Sequence, residues 1–205
     1  MLSPEPRIYL ASRSPRRREL LTQIGVRFDL LLFRAGTRSD AEVDETPFPI
    51  ENPDDYVVRV ARAKAAFGTR ILAMRHLPPR PVLSADTTLD FEGEIIGKPD
   101  DEAHACAILT RLSGKTHRVL TSVAVAEGDR IEHVRSVSEV RFRDLSADEI
   151  QRYVASGEPM DKAGAYGLQG RAAIFVAEVK GSPSGIVGLP LCETAQLLKG
   201  FGVLL

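Results

Sequence analysis

Apolar positions along this chain fall into short runs whose spacing alternates between strand and helix periods. Residues 8–11 form a brief apolar run of strand length. Ser14 and Pro15 follow as a natural N-cap and first helical residue. Leu20, Leu21 and Ile24 then give a helical stripe that Gly25 stops. A polar, acidic segment at 34–52 reads as a loop. Asn52, Pro53, Asp54 and Asp55 open a second helix, expected to run to about Met74 before Pro78 and Pro79. Residues 81–85 predict a short strand, and 88–91 and 94–96 a hairpin about Glu92 and Gly93. A helix at 100–112 ends before Gly114. Two long strands, 117–126 and 130–143, flank Gly128 and Asp129. Ser146 and Glu149 make a capping box for a helix ending near Gly157. A loop at 158–170, a strand at 172–179, a loop at 181–188 and a helix at 189–199 complete the chain. Alternating elements with hairpins predict an α/β fold around a mixed twisted sheet with flanking helices.

Composition narrows the function. The 205 residues suit one domain spanning 1–205, and 43% hydrophobic with 27% charged residues is an ordinary globular balance. The net charge of −1 argues against a nucleic-acid polymer or a membrane surface as partner. No apolar run approaches the roughly 18 residues of a membrane span. The N-terminal residues are too polar and proline-interrupted for a signal peptide, so a cytoplasmic location is expected. Cys106 and Cys192 have no metal-like spacing; both read as structural, with Cys106 on the core face of its helix.

Against that neutral background one local rule is broken. Arg16, Arg17 and Arg18 occupy a first helical turn, where the helix dipole disfavours cations by about 0.3–1 kcal/mol each. A bound anion such as phosphate would compensate, held by free backbone N–H groups and a guanidinium; a solvated basic turn is the plainer reading. Asp86 follows the strand at 81–85, where α/β sheets place ligands beyond strand ends. It could hold Mg²⁺ or activate water, or simply cap a turn. Lys98 sits between Gly97 and Pro99, more fixed than a surface lysine needs. Lys64 lies on the apolar stripe of Val57, Val60 and Ala61, so it needs an anionic partner or a route to water. Asp44 and Glu45 are either a solvated charge run or an acid that completes a metal site with Asp86. The segment 157–170 is rich in glycine. In it Gln169 can read a donor and an acceptor on a base edge, and Asp161 and Lys162 could pair with each other. No Walker-type loop, no Gly-x-Gly-x-x-Gly and no Ser–His–Asp order is present. Carboxylates, lysines and arginines suit metal-assisted attack on a phosphate chain.

The run from Ala11 to Leu21 resembles the N-terminal signature of the Maf-like nucleoside triphosphate pyrophosphatases. So do Ala85-Asp86-Thr87, Gly97-Lys98-Pro99, Leu112-Ser113-Gly114, the run from Asp161 to Gly170, and the run from Val187 to Pro190. The resemblance implies a fold related to inosine triphosphate pyrophosphatases, with two lobes around a central cleft. It implies hydrolysis of a nucleoside triphosphate between the α and β phosphates, giving monophosphate and pyrophosphate, in a house-cleaning role. By motif, Asp86 is the proton acceptor. Arg16, Thr87 and Gln169 match positions tied to substrate choice, with Ser14 and Arg17 beside them. Lys64 and Lys98 match phosphate-facing lysines. Glu45 most nearly matches the acid that, with Asp86, holds Mg²⁺ or Mn²⁺, though Asp44 is adjacent. The loop from Asp161 to Gly170 looks like the dTTP/UTP branch; a 7-methyl-GTP pyrophosphatase, or a nucleotide-binding regulator of septum formation with little catalysis, are the alternatives. A homodimer is also implied. Arg13 and the turn at 182–185 depart from the family pattern.

Overall fold

The computed structural model describes residues 7–33 and 43–203. Part of the acidic segment expected as a loop at 34–52 therefore lies outside the described residues. A seven-stranded sheet runs in the order β2-β1-β3-β5-β6-β7, with β4 paired to β3. The strands are β1 (Ile8–Leu10), β2 (Phe28–Leu30), β3 (Val82–Phe91), β4 (Glu94–Ile96), β5 (Thr116–Glu127), β6 (Arg130–Phe142) and β7 (Val176–Lys180). β1 runs parallel to β2 and β3, and every other pairing is antiparallel, so the sheet is mixed as the hairpins predict. The helices are α1 (Pro15–Gln23), α2 (Pro53–Met74), α3 (Glu102–Leu112), α4 (Ala147–Val154), α5 (Pro183–Val187) and α6 (Leu191–Gly200). None is long and apolar enough to cross a membrane.

Local chemistry sets the helix starts. The Ser14 hydroxyl accepts from the Arg17 N–H, Asn52 from Asp54, Asp101 from His104, and Ser146 from Glu149 with the reciprocal capping-box bond. Five expectations need correction. The strand at 81–85 does not stop at Asp86 but runs unbroken to Phe91, so Asp86 lies mid-strand. β2 is an extra strand, with half-buried Phe28 and Asp29 and exposed Leu30 leaving no clear alternation. The strand expected at 172–179 begins only at Val176, because Arg171–Phe175 winds into a 3-10 turn. The loop at 181–188 holds the short helix α5, capped by Ser182. Two further 3-10 turns, Glu158–Asp161 and Ala163–Ala165, interrupt the loop at 158–170.

Two apolar clusters divide the molecule into lobes. One gathers Ile8, Leu10, Leu21, Leu83, Val125 and Leu198 beneath α1 and α6. The other gathers Leu89, Leu109, Val140, Phe142, Tyr166 and Phe175 beneath α3 and α4. Cys106 packs at the margin of this second cluster rather than within it, and Cys192 is exposed. His117 is buried in it, edge-on to Phe142 and Tyr166, and shares a 2.8 Å hydrogen bond with the Tyr166 hydroxyl. Its Nδ1 is buried without a hydrogen-bond partner. Burial pushes the His117 imidazole down from 6.5 to about 4. Between those values the unfolded chain binds a proton that the folded one refuses, so stability is lost as pH falls through this window. The expected loss is about 3 kcal/mol at about 1.4 kcal/mol per pH unit. Urea unfolding at several pH values checks it, and His117→Gln is expected to flatten the slope.

Candidate active site

The cleft begins where the edge of β3 is left open. β5 pairs with β3 along its length, from Val82 to Asp90. The other edge takes β1 only at Val82 and Leu83, and β4 only from Leu89 onward. After the Ala11 N–H bonds the Leu83 carbonyl at 2.8 Å, the chain leaves β1 and turns into α1. Among the described residues, no strand lies beside 84–88 on that edge. Alternation sends Ser84 and Asp86 to one face and Thr87 to the other. A cleft of about 1000 Å³ wraps around the open edge, so sequence neighbours Asp86 and Thr87 both line it from opposite faces of the sheet. The strand-end rule is therefore not what opens Asp86 to the cleft: the break in its neighbours does.

On the Asp86 face, α2 lies close to the sheet because the seam is built from Ala61, Ala65, Ala124 and Ala126. The Ser84 hydroxyl donates to the Ala61 carbonyl at 2.7 Å. One turn on, Lys64 Nζ reaches Asp86 Oδ1 at 2.9 Å and Glu45 Oε2 at 2.8 Å. The lysine on the apolar stripe is thus resolved: it bridges two acids instead of running out to water. Asp86 and Lys64 are nearly buried, and Glu45 is half exposed. Asp44 is turned away, its carboxylate accepting from the Thr46 N–H at 2.9 Å, so Glu45 alone of the pair meets Lys64.

What delivers Glu45 is a pair of α2 residues that the motifs do not mark. The Tyr56 hydroxyl donates to the Glu45 carbonyl at 2.9 Å. Arg59 donates to the Asp44 and Thr46 carbonyls, to both Glu51 oxygens, and stacks 4.0 Å from the Phe48 ring centre. The available signal was spacing: Tyr56, Val60 and Lys64 recur every four residues on one helical face. Arg59→Ala is expected to release residues 43–51 locally without unfolding the sheet. Limited proteolysis then cuts that segment at least about tenfold faster while thermal unfolding of the remainder shifts little, since a charged hydrogen bond contributes roughly 1.5–3 kcal/mol.

The three arginines separate on the other face. Arg17 folds inward, donating from Nε to the Gly188 carbonyl at 2.8 Å, from Nη1 to Ser12 Oγ at 3.3 Å and from Nη2 to Thr87 Oγ1 at 3.2 Å. Burial lowers its pKa, with the nearby charge of Asp86 acting in the opposite sense. Its direct partners are thus neutral oxygens, with no paired acid among them. Arg18 turns back to the Arg13 carbonyl at 3.4 Å. Arg16 reaches across the cleft toward Asp161, 3.6 Å away. Ser14 is engaged as the helix cap.

The far wall comes from Gly97 and Lys98, just after β4, and the loop at 158–170. Gly164 takes φ +73° and donates to the Gly97 carbonyl at 2.9 Å, pinning the loop beside Lys98. A side chain there would collide with Leu89, so glycine is required on two counts. Lys162 donates to the Glu158 carbonyl and to Asp161, the pairing read from their adjacency. Burial raises the Asp161 pKa, but the Lys162 hydrogen bond and the charges of Lys162 and Arg16 outweigh it and hold the carboxyl below its ordinary value. Lys98 and Gln169 are exposed and line the cleft.

Six basic and four acidic side chains line the cleft of a chain whose net charge is −1. Such a cleft favours an anionic ligand. Two carboxylates converging on one cation are hard oxygen donors of the kind that hold Mg²⁺ or Mn²⁺. Among the described residues no group of three or more His, Cys, Asp or Glu is placed to hold a metal ion. Asp86 and Glu45 nevertheless fit the common arrangement of one or two carboxylates with remaining positions left to water and phosphate.

Sheet, open edge and charge pattern together define an α/β protein with a two-lobed, cation-lined cleft built around an acid–lysine–acid cluster. The model of the Maf-like protein family matches residues 7–201, and the chain belongs to that family. A dTTP/UTP pyrophosphatase of Dechloromonas aromatica is 64% identical over 196 residues, covering 96% of this chain and 98% of the relative. One of Aromatoleum aromaticum is 64% identical over 199 residues, covering 97% of each. The Staphylococcus aureus Ham1 protein superposes over 95% of this chain and 97% of its own, with TM-score 0.49 and 14% identity.

Proposed function

We propose that this protein hydrolyses dTTP and UTP to the monophosphate and pyrophosphate in a cleansing of the nucleotide pool. The observation that carries the reading is Lys64 held between Asp86 and Glu45 at the open edge of β3, inside a cleft with excess positive charge. The names of relatives at 64% identity over nearly full length support the substrate. Asp86 accepts the proton of the attacking water as the α–β anhydride opens. Lys64 and Lys98 offset charge growing on the phosphate chain, and Arg16 closes on it from the first turn of α1. Thr87 and Gln169 face the base. A divalent cation on Asp86 and Glu45 supplies further charge compensation when bound. The same reading includes a homodimer, which rests on family resemblance, and a cytoplasmic location, which rests on the polar, proline-interrupted N-terminal residues.

A substrate panel tests this. Purified protein with Mg²⁺ is given equal concentrations of dTTP, UTP, CTP and 7-methyl-GTP, and products are identified as monophosphate and pyrophosphate. Preference for the two uracil-type substrates is expected. Preference for the purine, or release of orthophosphate instead of pyrophosphate, sinks the proposal.

A further inference from the structure

Lys64 Nζ lies 2.8 Å from Glu45 Oε2 and 2.9 Å from Asp86 Oδ1. The same two carboxylates fit a divalent cation, so one pair of acids is offered to two cations. Mg²⁺ holds carboxylate oxygens at about 2.1 Å, and an ion on the oxygens that Lys64 takes would lie within about 5 Å of Nζ. Little water screens that repulsion, because the Lys64 and Asp86 side chains are only 15% and 10% exposed. The helix cannot retreat to relieve it. Ala61 and Ala65 are fully buried against the sheet, and the Ser84 hydroxyl ties the Ala61 carbonyl to β3 at 2.7 Å. Relief is left to the lysine side chain alone. Its flexible stem lines the cleft, where a phosphate chain offers the ammonium an anion in exchange for the two it leaves.

We infer that Lys64 is an internal cation that keeps Asp86 and Glu45 closed to a divalent ion until the phosphate chain of a bound nucleotide draws its ammonium away. The inference rests on the proposed nucleotide substrate and deepens it: metal and nucleotide each bind more tightly in the presence of the other, and by the same factor. Without nucleotide, the acids are open to metal only in the fraction of molecules whose lysine has turned out. Apparent metal affinity falls by that fraction.

Calorimetry measures Mn²⁺ binding to nucleotide-free wild type, Lys64→Met, Lys64→Arg and Lys98→Met. Lys64→Met keeps an apolar stem and removes the charge. It is expected to bind Mn²⁺ at least about tenfold more tightly, which corresponds to a wild-type lysine seated on the acids about nine-tenths of the time. Lys64→Arg keeps a cation beside the acids and is expected to stay within about threefold of wild type, as is Lys98→Met, which removes a cleft charge outside the cluster. Adding Asp86→Asn to Lys64→Met is expected to abolish the gain. Affinity is read from the curvature of the titration, so a smaller folded fraction lowers the stoichiometry and not the affinity. Equal affinities for wild type and Lys64→Met, an equal gain from Lys98→Met, or a gain that survives Asp86→Asn overturns the inference. Should Lys64→Met fail to fold, a crystal structure of wild type with Mn²⁺ and α,β-methylene-UTP decides. Mn²⁺ on Asp86 and Glu45 with Lys64 Nζ turned to phosphate supports the inference; Lys64 still bridging both acids, or no ion on them, overturns it. The Mn²⁺ titrations contain no nucleotide and stand apart from the substrate panel. Absence of pyrophosphate release from both UTP and dTTP removes the proposed function and with it the trigger, while the competition at the acids is still read by the titrations.

Discussion

Asp86→Asn is expected to lower kcat by about 10²–10⁴-fold, the range of a lost general base, while the protein stays folded. Asparagine is nearly isosteric with aspartate and can still accept a hydrogen bond from Lys64, so the packing at the open edge survives. It cannot take a proton from water, and its neutral amide is a poor ligand for a divalent cation. Both deficits fall on the chemical step rather than on nucleotide binding, which Arg16 and the lysines can still support. The expected signature is a fall in kcat with KM changed little, in a protein that stays folded with its stability lowered by no more than about 1–3 kcal/mol, the scale of the charged hydrogen bond to Lys64. Wild-type rates of pyrophosphate release from Asp86→Asn would exclude Asp86 as the proton acceptor. Unfolding of the variant would instead assign Asp86 a structural part in neutralising Lys64.

Much of the site was legible because its signals are local. Ser14, Pro15 and the leucines after them specify a helix start with no help from the rest of the chain. Lys64 on an apolar stripe implied an anionic partner or a route to water, since stripe position follows from helical periodicity alone. Which acid it met was not readable, because Asp86 is 22 residues away and its approach depends on the alanine seam between α2 and the sheet. The access of Asp86 to the cleft was also hidden. It arises because β1 ends at Leu10 and β4 begins pairing only at Leu89, and both facts are long-range. Residues 84–88 continue the strand because β5 pairs with them throughout, which no local propensity reveals. β2 escaped for the opposite reason: three residues paired only to β1 carry too little pattern. The triple arginine shows both limits. The broken dipole rule marked the position correctly as unusual, yet identical residue types take three different roles. Arg17 is drawn inward by the Gly188 carbonyl at the end of α5, 171 residues along the chain.

The second large effect is expected at Lys64. Lys64→Ala is expected to lower kcat/KM at least about tenfold and up to about 10³-fold, the range for removing one preorganised charge from a transition state. Two causes act together. The growing negative charge on the phosphate chain loses a cation, and Asp86 and Glu45 lose the ammonium that lies 2.9 and 2.8 Å from them. The second cause also appears without substrate, as a stability loss of about 1–3 kcal/mol from a charged hydrogen bond at a nearly buried acid. Lys98→Ala separates the causes. Lys98 is exposed and is not part of the acid cluster, so its loss is expected to weaken turnover while the urea midpoint stays put. The cycle of Lys64→Ala, Asp86→Asn and the double variant then measures the coupling directly. A coupling of about 1 kcal/mol or more in unfolding is expected for residues in such contact. Additive stabilities would mean that the ammonium does not hold Asp86 in solution, and the acid–lysine–acid cluster would cease to be the centre of the site.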